Sequence, residues 1–449
     1  MKRSIVVTLL VAAACILTAP GARAAEDTPA DLAPLADGDV TTATIHGMQI
    51  IVKRVPHAEF VAANLYVRGG ARNWSAADAG VEYLGFRVAA GGGTESLPKE
   101  AFVRRLDKLG STLRATTNED YSVLMLKSLR DAWDGSFALL ADAFLHPALP
   151  ATEIELQRQR QRAELKHEED VPDLRLNLMA HQLLYKGHPY EHRAIGTLDT
   201  VAKLDAAKLR AHLQKLRESG RLLLVVVGDV DAAHVIDGAR AAFGALPRGS
   251  WRDSPLPKIT ITGPRLVTVD KKLATNYISS YYLGPGWRDP DFPAAMVATD
   301  ALHFREFLEV RTKRNLSYAP SAGLTRHSAV PWGLLYVTAV DPKATMRVML
   351  DEARRLGREP MKDDELAGYK SVFLSGFLMN VESTDGQAGL LGTMQLYSGD
   401  WRNARKLPDR IRAVSAADVQ AFAKKYIHNL QTAYLGDASK VDKTTFEGL

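Results

Sequence analysis

The sequence Gly80-Val81-Glu82-Tyr83-Leu84-Gly85-Phe86-Arg87-Val88-Ala89-Ala90-Gly91-Gly92-Gly93-Thr94 decides how the fold of this chain is interpreted. Gly80 opens a predicted helix, which follows a predicted hairpin over residues 42–52 and a strand over residues 60–67. A glycine-rich stretch, residues 89–94, ends the segment. It is interpreted either as a flexible loop that contacts substrate or as a plain flexible connection, since it lacks the Lys-Ser/Thr of a phosphate-binding loop.

Composition and charge argue against a nucleic-acid binder. The chain has 449 residues, of which 46% are hydrophobic and 24% are charged, as in ordinary globular proteins with two or more domains. Its 57 Lys and Arg residues oppose 52 Asp and Glu residues, which leaves a formal net charge of +5. Because the basic residues mix with polar and acidic ones, as in residues 158–164, and do not form one basic stripe, no nucleic-acid partner is expected.

The N-terminus has the pattern of a secretory signal peptide. Two basic residues precede an apolar run over residues 5–17, and Ala22 and Ala24 form an A-x-A pattern, so residues 1–24 are predicted to be removed after about Ala24. An uncleaved anchor is the alternative, but no later stretch approaches about 18 apolar residues, so no stable membrane insertion is expected. We therefore expect export to the bacterial periplasm. Cys15 is the only cysteine and would leave with the signal.

A repeated pattern links the two halves of the chain. A capped helix follows Asp205 and leads to a strand that ends at Gly228 (228 − 205 = 23 positions). A second capped helix follows Ser415 and leads to a strand that ends at Gly436 (436 − 415 = 21 positions). In both places an Asp comes after the glycine. The same order of elements at similar spacing predicts a duplicated unit.

The predicted fold class is therefore α+β, with two duplicated domains that each contain a mostly antiparallel sheet covered by helices on one face. The N-terminal domain is predicted over residues 25–245 and the C-terminal domain over residues 258–449. A segment rich in Pro, Ser and Gly over residues 246–257 is predicted to be the linker between them.

Seven short segments of the chain resemble one known family, and several of them coincide with it in order and spacing. They are residues 80–81, 109–117, 187–190, 195–197, 227–230, 284–286 and 311–318. With these segments, the chain resembles the insulinase/pitrilysin family of zinc metallopeptidases, the inverzincins, which includes the mitochondrial processing peptidase and the core proteins of the respiratory bc complex. The resemblance covers almost the whole mature chain. It implies a processing-peptidase-like fold in which two such chains close around an internal chamber.

The resemblance implies an inverted zinc motif, H-x-x-E-H, on the first helix, with the two His as zinc ligands and the Glu as general base. Aligning Gly80 places these three roles on Tyr83, Phe86 and Arg87. Tyr83 binds metal only as a phenolate, Phe86 accepts no proton, and Arg87 is a permanent cation. This degenerate metal site predicts that the chain itself binds no metal and no other cofactor.

The third zinc ligand of the family is a Glu on a later helix. Glu164 suits this position because it lies 164 − 87 = 77 positions beyond Arg87, on a charged helix predicted over residues 152–169 with Thr152 as its N-cap. One carboxylate alone cannot hold a catalytic zinc. We expect Glu164 to form an ion pair with Arg87 across the degenerate site. The alternative is that Glu164 is a solvated residue of a charged helix.

Residues 188–192 spell H-x-x-E-H literally. The segment follows Gly187 and contains Pro189, which is typical of a turn, whereas a zinc site of this kind needs an intact helical turn. No acidic residue stands 77 positions beyond His192, where the chain has Val269. A metal site in this segment is therefore not expected.

The resemblance also points to Arg311 and Tyr318, seven positions apart, as catalytic residues that act in trans. It implies that Arg311 binds a substrate carbonyl in the active site of a partner and that Tyr318 donates a hydrogen bond to the oxyanion. The alternative is a structural Arg and a half-buried Tyr on a strand.

One predicted strand resembles the sheet edge to which substrates of this family add, main chain to main chain, as an extra strand. Its substrate-binding residues are expected to be Leu113, Arg114, Ala115 and Thr116. Beside a degenerate metal site, this edge either still binds peptide or is vestigial.

Three functions are compatible with these residues. The favoured hypothesis is a pseudoenzyme, a non-catalytic subunit of an exported heterodimeric zinc metallopeptidase. In this hypothesis the zinc is on a homologous partner subunit, and Arg311 and Tyr318 assist that partner in the cleavage of a peptide substrate. The second hypothesis is a structural or peptide-binding pseudopeptidase without a catalytic role. The third is a self-sufficient zinc metallopeptidase.

Overall fold

The computed structural model describes residues 39–446, and the predicted signal peptide lies outside this part of the chain. Two sheets are formed within it. The first contains β1 (Val40–Ile45), β2 (Met48–Arg54), β3 (Phe60–Arg68), β4 (Thr112–Thr117), β5 (Tyr121–Leu129) and β6 (Leu222–Gly228). The second contains β7 (Arg265–Asp270), β8 (Asn276–Leu283), β9 (Ser321–Leu324), β10 (Trp332–Ala339) and β11 (Gln431–Gly436).

Helices surround both sheets. In the segment that forms the first sheet they are α1 (Val81–Gly91), α2 (Lys99–Lys108), α3 (Trp133–Leu145), α4 (Ala151–Asp170), α5 (Pro172–Leu184), α6 (Leu198–Ala202), α7 (Ala206–Leu216) and α8 (Ala232–Phe243). In the second segment they are α9 (Phe292–Glu306), α10 (Pro342–Arg358), α11 (Asp363–Asn380), α12 (Thr384–Ser398), α13 (Asn403–Arg412), α14 (Ala416–Tyr426) and α15 (Lys443–Phe446). The predicted linker, residues 246–257, contains no helix or strand.

The two sheets have the same topology. The first has the order β1-β2-β6-β3-β5-β4, and the second has the order β7-β11-β8-β10-β9. Without the edge strand β1, each strand of the first sheet has a counterpart in the second, and the single parallel pair, β2 with β6 or β7 with β11, is at the same place. All other pairs are antiparallel. The predicted fold class, two mostly antiparallel sheets with helices, is confirmed.

The repeated glycines end equivalent strands for the same steric reason. A Cβ on Gly228 would lie 2.9 Å from the Cα of Val61 on β3, and one on Gly436 would lie 2.4 Å from Oδ1 of Asn276 on β8. Because β3 and β8 are counterparts in the two sheets, both halves exclude a side chain at the same point. The repeat read from the sequence therefore reflects one packing requirement that occurs twice.

Each sheet is covered on one face by a helix from the other half of the chain. α12 packs on β3 and β6 of the first sheet, whereas α5 packs on β8 and β11 of the second. Alternate residues of β3 enter different cores: Ala62 and Tyr66 face the core that includes α12, and Ala63 and Leu65 face the core that includes α1 and α3. The prediction that helices cover only one face of each sheet is wrong, because the two halves of the chain exchange equivalent helices.

Residues 112–127 lie in the hairpin of β4 and β5. Its turn is closed by Asn118 Oδ1, which accepts hydrogen bonds from the N–H groups of Asp120 and Tyr121. One local prediction is wrong. Thr152 is not an N-cap, because α4 begins at Ala151 and Pro150 occupies the capping position. Among the described helices, none is both long and apolar enough to cross a bilayer.

Candidate functional site

The helix that carries the degenerate motif, α1, is fixed at its N-cap residue, Gly80. Gly80 has φ 91°, and a Cβ there would approach Gln161 Nε2 to 3.0 Å and the Ile195 carbonyl oxygen to 3.1 Å. Only glycine combines this backbone conformation with this close packing. The chain therefore enters α1 at a fixed position, with α4 on one side of the helix.

Tyr83, Arg87 and Glu164 meet between α1 and α4. The Tyr83 hydroxyl donates to Glu164 Oε2 at 2.9 Å, and an Arg87 guanidinium nitrogen lies 2.8 Å from each oxygen of the same carboxylate. The same nitrogen donates to the Tyr83 hydroxyl oxygen at 3.1 Å. The ion pair that we expected between Arg87 and Glu164 is present, and the alternative of an unpaired, solvated Glu164 is wrong.

This network holds its groups in fixed protonation states. Burial raises the pKa of Tyr83 to about 12; the Arg87 charge opposes this rise, and the Glu164 carboxylate adds to it. For Arg87, burial on its own lowers the pKa, but the hydrogen bond to Glu164 and the electrostatic interactions with Tyr83 and Glu164 raise it above the ordinary value. At neutral pH the site therefore contains a neutral phenol and a guanidinium cation.

The residues at the degenerate motif do not fit a zinc ion. Tyr83 stays a phenol, Arg87 stays a cation, and Phe86 is 1% exposed in the apolar core and has no donor atom. Glu164 is the remaining ligand type, and it is already paired with Arg87. Within residues 39–446, no group of three or more His, Cys, Asp or Glu residues is placed to hold a metal ion.

The literal H-x-x-E-H segment forms a turn, as predicted, with a short 3₁₀ helix over Pro189–Glu191. Both ring nitrogens of His188 contact backbone groups: Nδ1 accepts from the Tyr190 N–H at 3.1 Å, and Nε2 lies 3.2 Å from the Pro257 carbonyl oxygen. Burial lowers the pKa of His188, and this bond to Pro257 opposes the change. The imidazole therefore serves the packing of the turn against the segment before β7.

Glu82, next to Tyr83, is a structural residue that sequence reasoning missed. Its carboxylate is 3% exposed and accepts hydrogen bonds from the Gly70 N–H, the Ser122 hydroxyl and Trp74 Nε1, and it pairs with His212 Nε2 at 3.2 Å. Burial alone raises the pKa of Glu82, but these donors, with His212 foremost, outweigh it and lower the pKa. Its partners lie up to 130 positions away, so nothing local in the sequence distinguishes it from an exposed glutamate.

Asp120, in the turn between β4 and β5, was also missed. It accepts hydrogen bonds from the hydroxyls of Tyr190 and Tyr397 at 2.6 and 2.9 Å and from the Ala329 N–H at 3.1 Å, and it pairs with Arg72 at 2.9 Å. Tyr397 and Ala329 belong to the second half of the chain. This carboxylate therefore ties the hairpin that contains the β4 edge to the opposite half of the molecule.

Arg311 and Tyr318 are side by side at the surface of the second half. Arg311 is on a π-helical segment, Phe307–Thr312, and its guanidinium carbon is 4.0 Å from the centre of the Tyr318 ring and 4.7 Å from that of Phe307. Tyr318 is 77% exposed and lies in a loop, so a half-buried strand Tyr is wrong. Within the described part of the chain, neither the guanidinium nor the phenol hydroxyl makes a hydrogen bond to protein.

The strand predicted to bind substrate is at the edge of the first sheet. Among the described strands, β4 pairs only with β5, so its other side has unpaired main-chain groups. Leu113 and Ala115 pack against the core on the α1 face, and Arg114 and Thr116 are exposed on the opposite face. The edge has the geometry that strand addition needs.

Comparisons with known proteins agree with this architecture. Residues 49–198 match the family model described as insulinase, peptidase family M16, and residues 203–373 match the one described as peptidase M16 inactive domain. An uncharacterised zinc protease of Rickettsia felis is 21% identical over 86% of this chain and 95% of its own length.

Two solved structures show the same fold. The crystal structure of a peptidase M16 inactive domain from Pseudomonas fluorescens aligns with a TM-score of 0.82 at 19% identity, over 89% of this chain and 98% of that one. The periplasmic protease PqqL from Escherichia coli aligns with a TM-score of 0.76 at 15% identity, over 94% of this chain and 49% of PqqL. The duplicated topology, the position of the degenerate motif and these matches agree: the chain belongs to the insulinase family of peptidases, M16.

Proposed function

We propose that this chain is the non-catalytic subunit of an exported heterodimeric zinc metallopeptidase and that it supplies Arg311 and Tyr318 to the active site of a homologous, zinc-bearing partner. One observation carries the proposal. The positions that would bind zinc are occupied by a phenol, a phenyl ring and a guanidinium. In contrast, Tyr318 is exposed, Arg311 is half-buried, and neither side chain makes a hydrogen bond to the described residues. The chain has lost its own metal ligands and kept the groups that act on a neighbouring site.

The surroundings of the pair suit a contact with a second chain. Phe307 and Leu308 are 38% and 45% exposed on the π-helical segment that contains Arg311, and Tyr318 extends the same apolar surface. Exposed apolar side chains beside a cation that has no ion-pair partner among the described residues favour a protein partner over open solvent. The alignment over about half of PqqL supports a molecule built from two such units, here supplied by two chains.

In the proposed complex the two residues act on the substrate carbonyl. The partner's zinc would supply the activated water. The Arg311 guanidinium binds the carbonyl oxygen next to the scissile bond, and the Tyr318 hydroxyl donates to the oxyanion that develops. The free edge of β4, residues Leu113, Arg114, Ala115 and Thr116, would hold the substrate main chain.

The proposal includes the processing and organisation predicted from the sequence. Residues 1–24 would be removed on export to the bacterial periplasm. The mature chain would divide into domains over residues 25–245 and 258–449, joined by the linker over residues 246–257. No cofactor is assigned to this chain, and the zinc would be carried by the partner.

The test is reconstitution with a homologue that has an intact H-x-x-E-H motif. The pair is expected to cleave peptides. Tyr318→Phe, which keeps the ring over Arg311 but removes the hydroxyl, is expected to lower kcat by about 10²–10³-fold, as for the loss of one oxyanion donor. Tyr277→Phe on β8 is the matched control and is expected to leave kcat unchanged. Full activity of the Tyr318→Phe complex, or chelator-sensitive cleavage by this chain alone, would overturn the proposal.

A peptide-binding protein without a catalytic role is the second candidate function, and the free edge of β4 favours it. In that case Arg311→Ala would leave the cleavage rate of any complex unchanged, while substitutions at the β4 edge would weaken peptide binding. The same reconstituted complex therefore distinguishes the two candidates.

A further inference from the structure

A cavity of about 740 Å³ lies in the second half of the molecule, between α9, α11, α12 and the connection from β9 to β10. Its volume is within the range of sites that bind small ligands or several peptide residues. Much of its wall is apolar and aromatic, with Trp287, Met296, Phe373 and Phe377 among its lining residues. None of the residues assigned to the proposed function lines this cavity.

Arg326 places a cation in this apolar cavity. Its guanidinium carbon is 5.6 Å from the centre of the Phe373 ring, and within residues 39–446 no group accepts a hydrogen bond from the guanidinium. The backbone of Arg326 is fixed, because its carbonyl oxygen accepts a hydrogen bond from Trp287 Nε1 at 2.6 Å. The Arg326 side chain is exposed at this cavity, and its donors make no hydrogen bond to the described residues.

Asp300, on α9, places an acceptor in the same cavity. The described residues supply no hydrogen bond to its carboxylate and no ion-pair partner within contact distance. Burial raises the pKa of Asp300, and the Arg326 charge opposes this change; burial also lowers the pKa of Arg326, and Asp300 opposes that change. The two groups thus act on each other electrostatically without forming a direct ion pair.

We propose that this cavity binds a peptide segment that has a large apolar side chain. A main-chain amide has one carbonyl acceptor for Arg326 and one N–H donor for Asp300. Because the amide is neutral and the charges of Arg326 and Asp300 cancel, the occupied cavity would have no net charge from these groups. The apolar walls would bury the side chain, and burying a Phe or Leu side chain is a strong source of affinity. An anionic ligand fits less well, since Asp300 stands at the same cavity.

The cavity is close to β4, the edge strand of the first sheet. Asp385, which lines it, forms an ion pair with Lys127 on β5 at 2.6 Å, and Lys127 is opposite Thr112 of β4 in the sheet register. Residues 112, 114 and 116 of β4 lie on the same face of the sheet as Lys127. A peptide paired with the start of β4 is therefore well placed to send one side chain toward the cavity.

The isolated full chain tests this inference, which does not depend on a partner or on Arg311 and Tyr318. Calorimetric titration compares the blocked peptide acetyl-Ala-Ala-Phe-Ala-amide with acetyl-Ala-Ala-Ala-Ala-amide. The Phe peptide is expected to bind with 1:1 stoichiometry and at least tenfold more tightly than the Ala peptide. Arg326→Ala is expected to weaken binding of the Phe peptide at least tenfold. Arg265→Ala on the edge strand β7 is the control and is expected to leave binding unchanged.

A second variant fills the cavity without disturbing the fold. A Cβ on Gly376 of α11 meets no atom within 4 Å, and Gly376 lines the cavity, so Gly376→Leu places its side chain in the space of the ligand. Gly368→Leu, equally open on the same helix but outside the cavity, is the matched control. Both variants are expected to keep the melting temperature, and only Gly376→Leu to abolish binding. Equal binding of the two peptides, no binding of the Phe peptide, or unchanged binding by Gly376→Leu would overturn the inference.

Discussion

The pair of helices α1 and α4 in the first half and the pair α9 and α11 in the second occupy equivalent places beside sheets of the same topology. In the first pair, Arg87 is followed after 77 positions by Glu164, and the two side chains form an ion pair. In the second pair, Asp300 is followed after 377 − 300 = 77 positions by Phe377, and both line an open cavity.

This difference shows that the same arrangement of helices and strands can carry different kinds of side chain between two equivalent helices. Polar side chains on α1 and α4 close the gap in the first half, whereas apolar side chains and one unpaired carboxylate leave it open in the second. Neither filling contains the ligands that a zinc ion needs. The two halves therefore differ in the side chains between these helices, while the strand order is the same.

Two buried glutamates, one on α1 and one on α9, also differ in whether their carboxylates have hydrogen-bond partners. Glu82 on α1 is satisfied by four donors from other elements. Glu306, the last residue of α9, is fully buried, and neither of its carboxylate oxygens has a hydrogen-bond partner among the described residues. Burial, with the Glu352 charge adding to it, raises the pKa of Glu306 well above its ordinary value. One glutamate anchors its helix and the other destabilises its surroundings.

The largest expected effect is at Glu82. Glu82→Ala removes the acceptor shared by His212 and three other donors, and breaking a buried pair in this way costs about 3–5 kcal/mol of unfolding free energy. Urea denaturation at pH 7 measures this loss. Because the folded pKa is lowered, the stability from Glu82 is present above its ordinary pKa of 4.5 and is lost as pH falls through the folded value. Glu100→Ala, exposed in the first turn of α2, is the control; equal losses would contradict the anchoring role.

Glu306→Gln is expected to act in the opposite direction, with a gain of about 1–3 kcal/mol near pH 7. The folded pKa is raised, so the stability of wild type is complete below 4.5 and falls as pH rises toward the folded pKa, by about 1.4 kcal/mol per pH unit. The variant lacks this decline. Thermal unfolding between pH 4 and 8 measures the difference, with the exposed Glu382→Gln as control. A gain that does not grow with pH would contradict a raised folded pKa of Glu306.

Features that depend on local geometry could be predicted from the sequence. The start of α1 at Gly80, the turn between β1 and β2, and the two glycines that end β6 and β11 each follow from a backbone or steric requirement within a few residues. The pairing of Arg87 with Glu164 was also predictable, because the spacing of the family motif places both residues at one site.

Features that depend on distant contacts could not be predicted in the same way. The exchange of α5 and α12 between the sheets depends on which apolar faces meet. The sequence of a helix with an apolar face does not indicate which element it packs against. The burial of Glu82 and Glu306 depends on partners, or their absence, on other elements. Tyr318 illustrates the same limit, because a residue type common on strands is here in a loop and exposed.

The smallest expected effect is at the Arg87–Glu164 pair itself. The two side chains are 24% and 40% exposed, so solvent screens their attraction despite the 2.8 Å contact. A double-mutant cycle with Arg87→Ala and Glu164→Ala is expected to give a coupling energy of about 0.2–1 kcal/mol, lower in 1 M NaCl than at low salt. The same cycle with Asp300→Ala and Phe377→Ala, which form no ion pair, is the matched control from the second half and is expected to show no dependence on salt.

The size of this coupling distinguishes two explanations for the closed site. A value of several kcal/mol would mean that the pair is retained because it stabilises the fold, and the loss of the zinc ligands would then be explained by stability alone. A value within the expected range means that the pair only fills space between α1 and α4 and satisfies the Tyr83 hydroxyl. In that case the network contributes little to stability, and stability does not explain the residues present at this site.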